Sequence, residues 1–215
     1  MASVTTTPVT AGPSEGHGDE AHETSTGLSN AKVAMWAFLG SECLLFGALI
    51  STYLLYRGRS LPGTPTPKDV YDIPYTSVSS FVLLMSSLTM VLALAAIQRD
   101  DHHRTRTWLL TTALLGSVFV GGQVYEFTKF YSEGLKLQTN LFGSSFFVLT
   151  GFHGAHVTIG VLMLLSLFGL SVRGRLPRER AETVELIGLY WHFVDIVWIV
   201  IFFLVYLIPG AGVAR

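Results

Sequence analysis

The sequence predicts an all-α integral membrane protein, a bundle of five transmembrane helices, and three observations predict it. Half of the 215 residues are hydrophobic and only 13% are charged, against about 25% charged in a soluble domain. The apolar residues gather into five blocks, each long enough to cross about 30 Å of hydrocarbon at 1.5 Å per helical residue. Between the blocks lie charged or proline-rich connections such as RDDHHRTR at 99–106 and LPGTPTP at 61–67. The formal net charge of −1 gives no electrostatic case for a nucleic-acid partner.

Residues 1–30 are rich in Thr, Ser, Gly, Pro, Glu and His. They offer too little apolar surface to offset the entropy of ordering, so a disordered acidic tail is expected there, with His17 and His22 solvated. The tail also lacks the apolar core of a cleavable signal peptide. Residues 31–210 form one membrane domain with spans at 33–56, 76–97, 108–127, 142–172 and 183–208. Three prolines in 61–67 close the first helix. The fourth block is long enough to tilt. RGRLPRER at 173–180 makes the last charged turn, and the chain carries no internal repeat. The single cysteine, Cys43, lies inside an apolar block; it forms no intrachain disulfide and reads as a small buried apolar residue. Trp36, Trp108, Trp191 and Trp198 read as interface anchors or partner contacts.

Lys and Arg set the orientation. With five spans, the N-terminus shares a side with Lys32, Arg99, Arg104, Arg106, Arg173, Arg175, Arg178 and Arg180, while Arg57, Arg59, Lys68, Lys129, Lys136 and Arg215 lie opposite. The excess of positive charge places the N-terminus in the cytoplasm and the C-terminus outside.

An ionisable side chain near the bilayer centre costs roughly 2.5–3.5 kcal/mol on insertion scales, so each needs a reason. Glu42 lies in the first span, His153 and His156 in the fourth, His192 and Asp195 in the fifth. His153 and His156 are about 60° apart on a helix and share a face with Gly160, while Gly151, Ala155 and Thr158 project oppositely. The fourth span is therefore expected to meet protein on both sides and to be central. In the fifth, Glu185, Gly188, His192, Asp195 and Tyr206 fall in one stripe about 80° wide. There the Asp195 carboxylate is placed to accept the His192 ring N–H. In the first, Ala37, Ser41, Ala48 and Thr52 form a small-residue stripe for helix contact. Glu42 projects beside it, either protonated or paired with a buried histidine, because burial disfavours the charged form. Gly122, Gln123 and Glu126 share a face of the third span, with an interfacial position as the competing reading of Glu126.

Three function classes compete at this point. A haem between helices needs two facing histidines, which His156 and His192 would supply. A di-iron site needs repeated Glu-x-x-His units, and one His-x-x-His is present. A copper thiolate site needs more than Cys43. A proton-coupled carrier fits intramembrane acids and histidines, but not the lack of repeated halves or broken helices. An accessory subunit of a larger complex uses the same groups to bridge helices, lipid and partners.

NLFGSSFFVLTGFHGAHVTIG at 140–160 and YWHFVDIVWIVIFFLVYL at 190–207 resemble the signature stretches of subunit III of haem-copper terminal oxidases. FLGSECLLFGALISTYLLYR at 38–57 resembles that family's helix with a buried glutamate, and QVYEF at 123–127 and TSVSSFVLLMSSLTMVLA at 76–93 match more loosely. The resemblance spans about residues 31–208. It implies a non-catalytic accessory subunit of a proton-pumping oxidase that reduces dioxygen to water. Such a subunit has no cofactor or metal of its own; haem and copper sit in partner subunits. It packs on subunit I, with subunit II in the same complex, binds phospholipid in a cleft and supports proton uptake and stability under turnover. By motif match Glu42 is the family's carbodiimide-reactive carboxyl. His153, His156, His192 and Asp195 occupy polar positions of its late helices. Mitochondrial members have seven helices and this chain begins at what resembles their third. The five-helix form points to a bacterial plasma membrane. A quinol oxidase or nitric oxide reductase component is the alternative within the resemblance. Together with the spacing, it suggests that His153 and His156 form one hydrogen-bonded cluster with Glu42 or the His192–Asp195 stripe, holding helices and lipid.

Overall fold

The computed structural model describes residues 27, 29–57, 73–132 and 141–207; the predicted acidic tail and the proline-rich connection at 61–67 lie outside them. The described residues form five long helices: α1 Asn30–Tyr56, α2 Ile73–Gln98, α3 His102–Ser132, α4 Leu141–Val172 and α5 Ala181–Phe202. A 3₁₀ turn, Arg178–Arg180, leads into α5, and a π turn, Phe203–Leu207, follows it. All five blocks are long and apolar enough to cross a membrane. Helix is what a bilayer demands, because only internal hydrogen bonding satisfies the backbone where water is absent.

The helices overrun the apolar blocks at most of their ends, and the reason is capping. Ser29 Oγ accepts the Lys32 backbone N–H at 3.2 Å and starts α1. Asp101 Oδ1 accepts the Arg104 N–H at 3.0 Å, so α3 begins at His102, inside the segment 99–106 expected to be a turn. The α2–α3 turn shrinks to 99–101. Asp100 there takes a left-handed φ of 61°, while the N–H groups of Asp100 and Asp101 bond the Ile97 and Ala96 carbonyls at 3.0 Å. That paired closure is a Schellman motif. The same motif ends α4, with Gly174 at φ 68° supplying the left-handed residue and Arg175 N–H bonded to Leu170 O at 2.9 Å.

The helices α4 and α5 form the centre. The first helix lies against both, α3 packs on α4, α2 packs on α5, and α2 and α3 make a closely packed hairpin. The hub is Trp191. Its ring fills a notch where α3 and α4 carry only glycine. A Cβ on Gly116 would stand 2.5 Å from its Cη2, and one on Gly160 2.7 Å from its Cε3. Its Nε1–H donates to Ser86 Oγ of α2 at 3.0 Å, so one side chain ties four helices. Trp198 repeats the pattern about two turns outward, donating to Ser80 Oγ at 2.8 Å. Both tryptophans are therefore core residues and not the interface anchors expected, whereas Trp36 is 58% exposed.

Three further expectations are corrected. The first helix buries only Leu39, Phe46 and Tyr53, a seam one residue wide repeating every seven. Cys43 falls off that seam and is exposed. The stripe Ala37, Ser41, Ala48 and Thr52 is exposed as well. Its hydroxyls bond their own helix, Ser41 to Phe38 O and Thr52 to Ala48 O. The fourth helix is central as expected, but Ala155 and Thr158 on its far side are exposed among the described residues.

Candidate functional site

The polar side chains inside the bundle sort into separate contacts, each bridging particular helices. The first joins α1 to α4. His156 Nε2 lies 3.1 Å from Glu42 Oε2, with each side chain 14% exposed. His156 Nδ1 lies 2.8 Å from the Phe152 carbonyl. A carbonyl can only accept, so Nδ1 carries a hydrogen and, in a neutral ring, Nε2 is left as acceptor. The pair thus shares one proton, placed either on the Glu42 carboxyl or on His156 Nε2. Tyr190 of α5 donates its hydroxyl to the His156 carbonyl at 3.1 Å, and the Phe46 ring stands edge-on to the imidazole at 5.1 Å.

His153 does not join this pair. One helical turn away, it is fully buried, its ring stacked on Trp198 at 4.9 Å and edge-on to Phe119 at 6.0 Å. Neither ring nitrogen meets a hydrogen-bond partner among the described residues. The expected cluster of His153 and His156 with Glu42 or the His192–Asp195 stripe is therefore divided, and only His156 meets Glu42. The 60° between the two histidines sends His156 toward α1 and His153 into the aromatic centre, with the Phe46 ring touching both.

The expected His192–Asp195 bond is also absent. His192 Nδ1 pairs instead with Ser87 Oγ of α2 at 2.6 Å. Asp195, buried on the same helix, has neither oxygen hydrogen-bonded, although Ser87 lies close enough to act on its carboxyl. Side chains three apart diverge enough that the hydroxyl of the neighbouring helix reaches the imidazole first.

At the far end of the bundle Glu126 is buried between helices. Its Oε1 accepts from Thr76 Oγ1 of α2 at 2.8 Å and from Tyr206 of the π turn at 3.3 Å. Gln123, one turn earlier, donates to the Thr150 carbonyl of α4 at 2.7 Å. Arg57, at the end of α1, folds back to donate to the Leu204 and Val205 carbonyls at 2.7 and 3.4 Å, holding the turn that carries Tyr206. At the opposite end Lys32 pairs with Glu185 at 3.0 Å, and Ser29 hydrogen-bonds Glu182.

The sequence singled out Glu42, Glu126, His153, His156, Glu185, His192 and Asp195 but not Glu182. It missed the hydroxyls Thr76, Ser87 and Tyr190 that meet these residues, and Ser80 and Ser86 that meet the tryptophans. The signal was present as the paired serines 79–80 and 86–87 in an apolar helix, where hydroxyls bridge helices. Chemically the arrangement can share a proton between Glu42 and His156 and fasten helices together. Among the described residues no three His, Cys, Asp or Glu side chains stand where they could hold one metal ion.

Comparison with known proteins follows the same residues. The model of the family described as cytochrome c oxidase subunit III matches residues 13–209. Over 183 residues the chain is 37% identical to cytochrome c oxidase subunit 3 of Bacillus sp. (strain PS3), covering 85% of this chain and 88% of that one. Quinol oxidase subunit 3 of Bacillus subtilis (strain 168) is 37% identical over 192 residues, 89% of this chain and 93% of the relative. Cytochrome c oxidase subunit 3 of Synechocystis sp. is 40% identical over 200 residues, 91% and 81% of the two chains.

Proposed function

Because this chain belongs to the cytochrome c oxidase subunit III family, we propose that it is the non-catalytic accessory subunit of a proton-pumping haem-copper oxidase. It is a multi-pass membrane protein, and membership implies association with other oxidase subunits. In the reading proposed here it packs on subunit I in a bacterial plasma membrane, N-terminus cytoplasmic and C-terminus outside. It binds phospholipid and sustains proton uptake, while haem and copper belong to its companions.

The observation that carries this reading is the Glu42–His156 bond. Two of the five stretches that resemble the family meet in it, and its geometry is that of a fastening between α1 and α4, with one ring nitrogen committed to a backbone carbonyl. Of the remaining buried acids and histidines, Glu126 and His192 bridge other helix pairs and His153 sits among aromatic rings. Such a distribution suits a scaffold. The pair also keeps a partly exposed edge, where a lipid chain or a companion helix can reach it.

The relatives include subunits of both cytochrome c and quinol oxidases at equal identity, which suits a chain whose companions choose the electron donor. The experiment is to tag this chain, purify the complex, and assemble the same complex without it. The complex lacking it is expected to keep its haem spectrum and initial oxygen consumption and to inactivate sooner under turnover. Stoichiometric haem bands in the isolated chain would overturn the reading.

A further inference from the structure

Five side-chain atoms at the heart of the bundle meet no hydrogen-bond partner among the described residues: both carboxyl oxygens of Asp195, both ring nitrogens of His153 and Oε1 of Gln123. Their residues are 3%, 0% and 7% exposed. Buried polar groups are almost always satisfied by protein or by ordered water, so five unmet atoms on three side chains in one core require an explanation.

They are neighbours. Trp198, three residues beyond Asp195, stacks on His153 at 4.9 Å. Phe119, one turn before Gln123, stands edge-on to both rings, 6.0 Å from His153 and 4.9 Å from Trp198. The Gln123 amide nitrogen is tied to Thr150 O, three residues before His153. Asp195 thus sits one turn before Trp198 on α5, His153 lies against the Trp198 ring, and Gln123 is tied to α4 one turn before His153, with its Oε1 beside Gly154. The surrounding protein has little left to offer them. Of the α2 hydroxyls, Ser80 accepts from Trp198 and donates to Thr76 O, and Ser86 accepts from Trp191 and donates to Leu83 O. Ser87 pairs with His192 and lies beside the Asp195 carboxyl without reaching hydrogen-bond distance of its oxygens. From α1 the Phe46 ring stands edge-on to His153 at 6.4 Å and offers it no hydrogen bond.

The donor and acceptor count selects the ligand. The Asp195 oxygens and Gln123 Oε1 call for hydrogen-bond donors or a cation. A neutral His153 ring offers one N–H and one bare nitrogen. A metal cation would serve the oxygens and leave that N–H unmet; an anion would do the reverse. Water gives and takes at once and is small enough for a core site. We propose that the centre of this bundle is an internal water-binding site, in which a small cluster of ordered waters bridges Asp195, His153 and Gln123. The site is separate from the Glu42–His156 fastening and stands whether or not the oxidase role holds.

The test is a density map of the chain in its native complex, at a resolution that shows waters elsewhere within the same bundle. Peaks within about 2.7–3.2 Å of an Asp195 oxygen and a His153 ring nitrogen are expected. In Asp195→Leu the peak beside residue 195 is expected to vanish while the peak beside His153 remains. Dry density at the centre, or Asp195 and His153 turned to bond each other directly, would overturn the proposal. Persistence of the same peak in Asp195→Leu would overturn its assignment to the carboxyl.

Discussion

At the scale of single residues, the contact between α1 and α4 rests on where one proton sits. Glu42 and His156 share it across 3.1 Å, and the Phe152 carbonyl fixes the imidazole so that Nε2 faces the acid. Glu42→Gln places an amide N–H against the same nitrogen and should leave assembly and haem content of the complex unchanged. Its stability should lie within about 0.5 kcal/mol of the parent, the scatter of a neutral substitution. Glu42→Leu leaves Nε2 without a partner and should cost roughly 1–3 kcal/mol, read as a lower temperature for heat-induced loss of the chain from the complex. Equal damage from both variants would mean that the proton resides on His156 and the pair is ionic. The sequence showed both residues, since an acid and a histidine in apolar blocks are conspicuous. It could not show that His153, three positions from His156, turns into an aromatic core, because the 60° between them matters only once α1 and α5 are in place.

At the scale of elements, the close contacts are made by what glycine leaves out. Trp191 occupies the space where Gly116 and Gly160 carry no side chain. Gly116→Ala should destabilise the bundle by about 1–3 kcal/mol through overpacking, measured by thermal unfolding in detergent. Trp191→Phe removes the ring atoms that the new methyl would strike, so the double variant should fall short of the sum of the singles by about 1 kcal/mol. The end of α5 depends on another element altogether. Arg57 holds the Leu204 and Val205 carbonyls, and a π turn has weaker internal support than an α-helix. Arg57→Ala should speed hydrogen exchange of the amides in 203–207 and leave those of α4 unchanged; uniform protection in both segments would show that the turn holds without the clamp.

At the scale of the whole molecule, the bundle is lopsided. Four helices surround the Trp191–Trp198 core, and α1 is attached along a seam of Leu39, Phe46 and Tyr53, with Lys32–Glu185 at one end and Arg57 at the other. Most of its surface stays outside, including Leu44 at 78% exposure. In the isolated chain in detergent, Cys43 is expected to react with a thiol reagent. A cysteine placed at buried Ala113, in a Cys43→Ser background, is expected to resist; equal labelling of the two would refute this packing of α1. Lipid or a companion subunit meets that outer face in a membrane, which suits a chain whose family works within a complex.

The sequence by itself determined the five spans, the membrane solvent and the ionisable residues, because hydropathy and helix length are local properties that no neighbour alters. It also carried the family, through stretches whose residue order is specific. Tertiary structure alone decided the partners: Glu42 with His156, His192 with Ser87, Glu126 with Thr76 and Tyr206, and Cys43 outside the seam. Each of those outcomes depends on the rotation of one helix against another. Helices apolar nearly all round have no single buried face that hydropathy could pick out, which leaves that rotation to close packing of tryptophan against glycine.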